Sequence, residues 1–154
     1  MQTPAERIWQ FPNRMEALAA VAKEVFDWLA GLPLSSRAKY SAGLSIEEMS
    51  TNIIKYGYDD DHEHFIRVLI VAERDHVKIV FEDDGHPFDP TRYPSPDLES
   101  IVEARKSGGL GIELVRRICE KMVYERDGRL NRLTLHIRRL EPNDTQFISL
   151  SSLL

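Results

Sequence analysis

The 154-residue sequence predicts an α/β fold, a two-layer α/β sandwich with a mixed, largely antiparallel sheet and helices on one face. Stretches with apolar residues at helical spacing are interspersed with short runs rich in β-branched and aromatic residues. Several of these runs are separated by only a few turn-forming residues, which favours hairpins and therefore antiparallel pairing. The predicted order is β-α-α-β-β, a long loop, then α-β-β, in one domain that covers residues 1–154.

The first half of the chain supplies one strand and two helices. The run "ERIWQF" (6–11) is typical of a short strand, and Asn13 is placed to cap a helix over residues 14–31. A second helix is predicted over residues 36–56, with Gly57 as its C-cap. The apolar stripes of these two helices predict burial of Leu18, Ala22, Val25, Phe26, Leu29, Tyr40, Leu44, Met49, Ile53 and Tyr56.

Two hairpins and a third helix make up the second half of the chain. The predicted elements are strands over residues 65–73, 76–83, 123–127 and 132–140 and a helix over residues 109–122. The last two strands are joined around Asp127-Gly128, a pair that is common in tight hairpin turns. Residues 141–154 show no clear period and receive no predicted element.

Composition and charge narrow the function classes. The net charge of −5 argues against a general nucleic-acid-binding protein, which usually carries a basic face. Cys119 is the single cysteine, which fits a reducing, cytoplasmic setting and allows no internal disulfide. No run of 18 apolar residues is present, so neither a membrane-spanning helix nor a membrane partner is expected.

The stretch "EDDGHPFDP" (82–90) concentrates carboxylates at the end of a predicted strand. Asp83 is positioned to accept a hydrogen bond from an exocyclic amine such as that of adenine, and Gly85 lets a ring approach the backbone closely. Pro87 and Phe88 would stiffen the exit and supply an apolar wall. Taken alone, the stretch is more typical of a solvated turn.

Glu48 and Asn52 are four residues apart in the predicted second helix. They therefore lie on one helix face, about 6 Å apart along the axis. A glutamate can serve as a base for a hydroxyl, and an asparagine amide oxygen is a suitable ligand for Mg²⁺. Taken alone, such a pair is more often two exposed helix residues.

The stretch "SGGLGIELVRRI" (107–118) places glycines at a helix start, where free backbone N–H groups and the helix dipole favour phosphate. It is neither a P-loop nor a GxGxxG motif, because the lysine and the final glycine of those motifs are missing. Residues 84–107, which precede it, form a connection of unusual length for a compact domain, and we predict that they form a lid.

In this order, the three stretches resemble the motifs of the GHKL superfamily (the Bergerat ATP-binding fold), most closely those of bacterial anti-sigma-factor serine/threonine protein kinases. "EEMSTNIIKYGY" is similar to the N-box, "DDGHPFDP" to the G1 box and "GGLGIELVRRI" to the G2 box. The resemblance implies that Glu48 is a general base, that Asn52 binds Mg²⁺ and that Asp83 contacts adenine. The other residues that it places at the nucleotide are Lys55, Gly85, Pro87, Phe88, Gly108, Gly109, Leu110 and Gly111.

The resemblance implies an ATP-binding anti-sigma regulatory factor. It would transfer a phosphoryl group from Mg-ATP to a serine or threonine of a STAS-domain antagonist, with ATP and Mg²⁺ as cofactors. A sigma factor is a second implied partner. The resemblance also implies a homodimer, with the first strand as a candidate sheet edge. The run Pro87-Phe88-Asp89-Pro90 favours the anti-sigma kinases over the sensor histidine kinases.

Two other functions stay open at this point. One is a nucleotide-gated, non-enzymatic binding module in which ATP orders residues 84–107. The other is a stand-alone histidine-kinase-like catalytic domain, which Lys55-Tyr56 favours. Arg105 and Lys106 lie beside the Gly-rich turn, where they would reach a γ-phosphate, although a solvated basic pair is at least as common.

Overall fold

The computed structural model describes residues 4–94 and 109–139. Its elements are β1 (Ala5–Pro12), α1 (Met15–Ala30), α2 (Ser36–Tyr56), β2 (Phe65–Ala72), β3 (His76–Asp83), α3 (Gly109–Ile118), β4 (Lys121–Asp127) and β5 (Leu130–Arg138). The five strands form one sheet in the order β1-β2-β3-β5-β4, so β1 is an edge strand as predicted. The α/β class is confirmed, and all four strand pairings in the described part are antiparallel rather than mixed.

The core lies between the helices and one face of the sheet. Inward-facing residues alternate with outward-facing ones along each central strand, because successive side chains of a strand point to opposite faces. The buried apolar residues on the inward face of β2, β3 and β5 are Ile66, Val68, Ile70, Ala72, Val77, Ile79, Phe81, Leu133, Leu135 and Ile137. Each fully buried aliphatic side chain contributes about 1.5–3 kcal/mol to folding. The same alternation turns Asp83 and Asn131, at the ends of β3 and β5, toward the helices.

The start of α1 differs from the prediction. Arg14 is the N-cap residue and makes no side-chain capping bond. Asn13 instead accepts a hydrogen bond from the His64 amide through Oδ1 (3.0 Å) and donates its own amide to the His64 carbonyl (2.9 Å). Asn13 thus fastens the end of β1 to the start of β2. Phe26 is 63 % exposed, so its predicted burial is wrong.

The second helix has the bounds that the sequence predicts. Ser35 caps it by accepting a hydrogen bond from the Ala38 amide (3.0 Å), and Met49 lies in its buried stripe. Tyr40 and Tyr56 are exposed, which contradicts the predicted stripe. Tyr40 lies roughly opposite Met49 on the helix, and Tyr56 is in the last turn, where the core gives way to open cavities.

The third helix ends four residues earlier than predicted. Its last residue is Ile118, and Lys121 and Met122 belong to β4, where they pair with residues of β5. No glycine or proline marks this end, so strand pairing decides it. Gly128 has a φ of +59°, a left-handed conformation that favours glycine in the turn between β4 and β5.

Several predictions concern residues outside the described ranges. These are the greater part of the lid, Arg105, Lys106, Gly108 and the tail of residues 141–154. Among the residues that are described, no helix combines the length and the apolar character needed to cross a membrane.

Candidate functional site

Two neighbouring cavities open beside the C-terminal half of α2. The smaller has a volume of about 370 Å³ and lies over the ends of β3 and β5. The larger has a volume of about 610 Å³ and lies between α1, α2 and the start of α3. Asn52 and Tyr56 line both cavities, so the two cavities are neighbours on either side of these two side chains.

Asp83 lies at the base of the smaller cavity and is 6 % exposed. Its Oδ1 accepts hydrogen bonds from the Gly85 amide (2.9 Å) and from Nδ2 of Asn131 (3.0 Å). Within the described residues its Oδ2 receives no hydrogen bond, which leaves an acceptor for a ligand donor. Burial raises the pKa of the Asp83 carboxyl, while the bonds from Asn131 and Gly85 oppose that rise.

Hydrogen-bonded polar residues on three neighbouring strands hold the Asp83 side chain in its orientation. Asp83 pairs with Asn131 of β5, which in turn pairs with Arg126 of β4. Nδ2 of Asn131 also donates to the His86 carbonyl (2.8 Å), and Oδ1 of Asn131 accepts from Tyr124 and from Arg126 (3.1 Å). The orientation of Asp83 is therefore set by a fully bonded asparagine.

Gly85 permits a close backbone approach at the rim of the smaller cavity. A Cβ at this position would lie 2.6 Å from the Gly57 carbonyl oxygen and 2.9 Å from Oδ1 of Asp83. The Gly57 carbonyl also accepts a hydrogen bond from the His86 amide (2.8 Å). These contacts join the end of α2 to the loop after β3, and a side chain at position 85 would separate them.

The walls of the smaller cavity are largely apolar and aromatic. They are formed by Met49, Ile53, Phe81, Pro87, Phe88, Pro90, Tyr93, Ile112, Tyr124 and Leu133. The rings of Phe88 and Tyr93 are neighbours, with centroids 5.9 Å apart. An apolar slot with one buried carboxylate at its base suits a flat heteroaromatic ring that carries an amine.

The larger cavity brings together the predicted catalytic and phosphate-binding residues. Glu48, Asn52 and Lys55 from α2 face Leu110 and Gly111 from α3. Burial raises the pKa of the half-buried Glu48 carboxyl, and the negative charge of Glu47 adds to the rise, whereas Lys55 lowers it. A carboxyl with a raised pKa is a better proton acceptor near neutral pH than an ordinary glutamate.

Gly111 packs directly against Glu48. A Cβ on Gly111 would lie 2.1 Å from Oε2 of Glu48 and 3.0 Å from its Cδ. The glycine therefore lets α3 approach the carboxylate, which would have to move away from any larger residue.

A group of ionisable residues outside these cavities borders the loop after β3. His64 stacks on Tyr58 (centroids 4.0 Å apart) and lies between Asp60 (2.8 Å) and Asp84 (3.2 Å). The bond to Asp60 is the main reason that the pKa of His64 is raised. Among the described residues, no group of three or more His, Cys, Asp or Glu is arranged to hold a metal ion.

The sequence matches the family described as "Histidine kinase-like ATPase domain" over residues 11–137, most of the chain. The chain belongs to this family. The match covers all the predicted motifs and the residues that line the two cavities beside α2. The resemblance to the GHKL superfamily is thereby confirmed.

Two known proteins are similar to this chain. It is 27 % identical over 125 residues to the serine/threonine-protein kinase BtrW of Bordetella bronchiseptica, covering 79 % of this chain and 88 % of that protein. Its fold is similar to that in the crystal structure of the RsbU and RsbW domains of Rv1364c from Mycobacterium tuberculosis. That likeness has a TM-score of 0.62 at 14 % identity and covers 94 % of this chain but 35 % of the longer one.

The structure brings most of the predicted site residues together. Asp83, Pro87 and Phe88 line the smaller cavity, and Glu48, Lys55, Leu110 and Gly111 line the larger one. Gly109 begins α3, and Gly85 lies at the rim. The sequence reasoning missed Asn131, Tyr124, Arg126, Tyr56 and Tyr93. Cys119 is partly buried, and burial raises its pKa to about 12, which disfavours the thiolate form that nucleophilic attack requires.

Proposed function

We propose that this protein is an Mg-ATP-dependent serine/threonine protein kinase that phosphorylates a STAS-domain antagonist and acts as an anti-sigma regulatory factor. The observation that carries the proposal is that Asn52 lines two neighbouring cavities, a slot with Asp83 at its base and a chamber lined by Glu48. The relative named as a serine/threonine-protein kinase supports the choice of acceptor.

The residues of the smaller cavity fit an adenine ring. The exocyclic amine would donate to Oδ2 of Asp83, and the ring would lie between the aromatic and aliphatic walls. The phosphates would then extend past Asn52 toward the N-terminal residues of α3, where the helix dipole favours negative charge.

The residues near Asn52 suit a magnesium ion whose ligands come mainly from the phosphates of ATP. Mg²⁺ is usually bound by one or two protein oxygens together with phosphate oxygens and water. The Asn52 amide oxygen provides one such ligand, and the described residues offer no cluster for an all-protein metal site. The metal would neutralise charge on the transferring phosphoryl group.

Glu48 is the proposed general base. It would take the proton of the acceptor hydroxyl as the hydroxyl oxygen bonds to the γ-phosphorus and ADP leaves. Its raised pKa and its fixed position against Gly111 suit this role. Lys55, in the same cavity, would help to keep the carboxyl ionised before the transfer.

The larger cavity also leaves room for the acceptor segment of a partner protein. Its wall opposite α3 is apolar and is formed by Met15, Leu18, Ala19 and Ala22 of α1. A polypeptide segment lying along this wall would bring its hydroxyl to Glu48. The partner class, a STAS-domain protein and additionally a sigma factor, is taken from the likeness to the anti-sigma kinases.

The test is phosphotransfer from labelled ATP to a panel of STAS-domain proteins. Glu48→Gln should lose about 100-fold or more of the transfer rate while ATP still binds, because only the base is removed. Glu47→Gln is the matched control, since Glu47 is the neighbouring carboxylate in the same cavity but does not contact Gly111. Undiminished transfer in Glu48→Gln would overturn the base assignment.

A non-enzymatic module would bind ATP without any transfer in the wild type. A phosphorylated product that is lost in acid would indicate a phosphohistidine and would favour the histidine-kinase-like alternative. An acid-stable product would support the serine/threonine assignment.

A further inference from the structure

One wall of the smaller cavity is a short turn that follows the loop after β3. It consists of residues 89–93 and contains a 3₁₀ helix, Pro90–Arg92. Asp89 caps this turn by accepting a hydrogen bond from the Thr91 amide (2.9 Å). Pro90 and Tyr93 of the turn line the cavity, and Tyr93 supports the ring of Phe88.

Among the described residues, the side chain of Arg116 connects α3 to this turn. Nη1 of Arg116 donates to the Tyr93 carbonyl and, more weakly, to the Pro90 carbonyl (3.4 Å). Its Nη2 donates to Oε2 of Glu113 (2.9 Å), one turn earlier on the same helix. The planar guanidinium group therefore contacts the helix and the turn at once, which a fork of fixed geometry allows.

Glu113 makes this arrangement rigid. It is 7 % exposed, and its two carboxylate oxygens are bonded to two arginines. Arg117 donates to Oε1 through Nε (3.0 Å) but is bonded to no carbonyl of residues 89–93 in the described structure. The two arginines share a carboxylate partner and differ in their contact with the turn.

We propose that Arg116 is a positioning residue for the base-binding cavity, acting through residues 89–93. Arg116 does not line the cavity within the described residues, so it acts through Pro90 and Tyr93. The same helix carries Ile112, which lines this cavity, and Gly111, which contacts Glu48. Arg116 thus joins the wall around the base to the helix that borders the catalytic carboxylate.

The inference rests on the proposed nucleotide site, and its effect is specific to the base. The turn contacts the base end of the cavity, whereas the phosphates extend toward α3. Loss of the Arg116 contacts should therefore lower the affinity for adenosine and the affinity for ATP by the same factor. A substitution that disturbs the phosphate-binding part of the site would lower the affinity for ATP alone.

The experiment is calorimetric titration of adenosine and of Mg-ATP into wild type, Arg116→Ala, Arg116→Lys and Arg117→Ala, with thermal unfolding of each. We expect Arg116→Ala to weaken both ligands by about three- to tenfold. The KM for ATP should rise by the same factor with kcat unchanged. Arg117→Ala, which also removes one bond to Glu113, should leave both affinities unchanged.

Arg116→Lys keeps a positive charge beside Glu113 but cannot hold that carboxylate and the turn together. The Arg116→Lys variant should therefore bind both ligands as weakly as Arg116→Ala. If Arg116→Ala does not fold, Arg116→Lys still tests the positioning role of Arg116. Equal weakening in Arg117→Ala, or wild-type affinity in Arg116→Lys, would overturn the proposal. Absence of ATP binding in the wild type would instead refute the nucleotide site itself.

Discussion

Asn131 should determine how well Asp83 binds a nucleotide base. Asn131→Ala removes the bond from Nδ2 to the buried Asp83 carboxylate (3.0 Å) and the bond to the His86 carbonyl (2.8 Å). A hydrogen bond to a charged group contributes about 1.5–3 kcal/mol. In a domain of this size that corresponds to a fall in Tm of roughly 3–12 °C. We expect ATP affinity to fall by about tenfold or more, because the carboxylate loses its fixed orientation.

The pH dependence of ATP binding provides a second test of Asn131→Ala. The bond from Asn131 lowers the pKa of Asp83 against the effect of burial, so its removal raises that pKa further. Binding that needs the carboxylate should then fail at a higher pH in Asn131→Ala than in the wild type. Calorimetric titrations of Mg-ATP from pH 5 to pH 8 measure this shift.

Tyr124→Phe is the matched control for Asn131→Ala. It removes the phenol that donates to Oδ1 of Asn131 but keeps the ring in the cavity wall, and Arg126 still donates to the same oxygen (3.1 Å). This control should bind ATP nearly as well as the wild type. Wild-type affinity and an unchanged pH profile in Asn131→Ala would refute the reasoning.

Three further predictions follow from the geometry. Lys55→Met should move the acidic limb of the kcat profile to higher pH and Glu47→Gln should move it to lower pH, because these charges lower and raise the pKa of Glu48. Gly111→Ala should reduce kcat by roughly 10–100-fold and by more than it weakens ATP, since the new methyl group displaces the Glu48 carboxylate. His64 has a raised pKa in the fold, so its ion pairs stabilise the protein fully below about pH 6.5 and lose their effect as pH rises through the raised value. His64→Asn should therefore lower Tm more at pH 6 than at pH 9 in thermal unfolding.

The local patterns predicted the elements well and their ends less well. The alternation in "HVKIVFED" predicted β3 with the bounds that it has, because a strand with one buried face repeats every second residue. The helix "GLGIELVRRICEKM" was predicted too long, because its last residues remain compatible with a helix until β5 offers them a partner. Pairing between distant strands is not visible in a local period.

The sequence predicted those residues of the candidate site that belong to a recognisable motif. Glu48 and Asn52 are one helical turn apart, and Asp83 ends a strand, so spacing predicts their positions within these elements, while the family resemblance suggests that they share a site. Asn131 was missed, although it is the first inward-facing residue of β5 and pairs with Asp83, the last residue of β3. Its role depends on the register between the two strands, which only the folded sheet shows.

The side chains that bind the loops through long-range hydrogen bonds could not be predicted from the sequence. The sequence assigned no role to Arg116, because its contacts with Tyr93 and Pro90 join residues more than 20 positions apart. Tyr56 was assigned to the core by helical period, yet it is 50 % exposed at the junction of the two cavities. Periodicity does not show where a core ends and a cavity begins.

The most direct test of the central claim is calorimetric titration of Mg-ATP into the wild type and into Asp83→Asn, with thermal unfolding as a check of the fold. We predict that the wild type binds Mg-ATP. Asp83→Asn should fold but lose most of the affinity for Mg-ATP, because an amide replaces the carboxylate acceptor at the base of the cavity. Equal binding by the two proteins would contradict the assignment of Asp83. No binding by the wild type would contradict the nucleotide site as a whole.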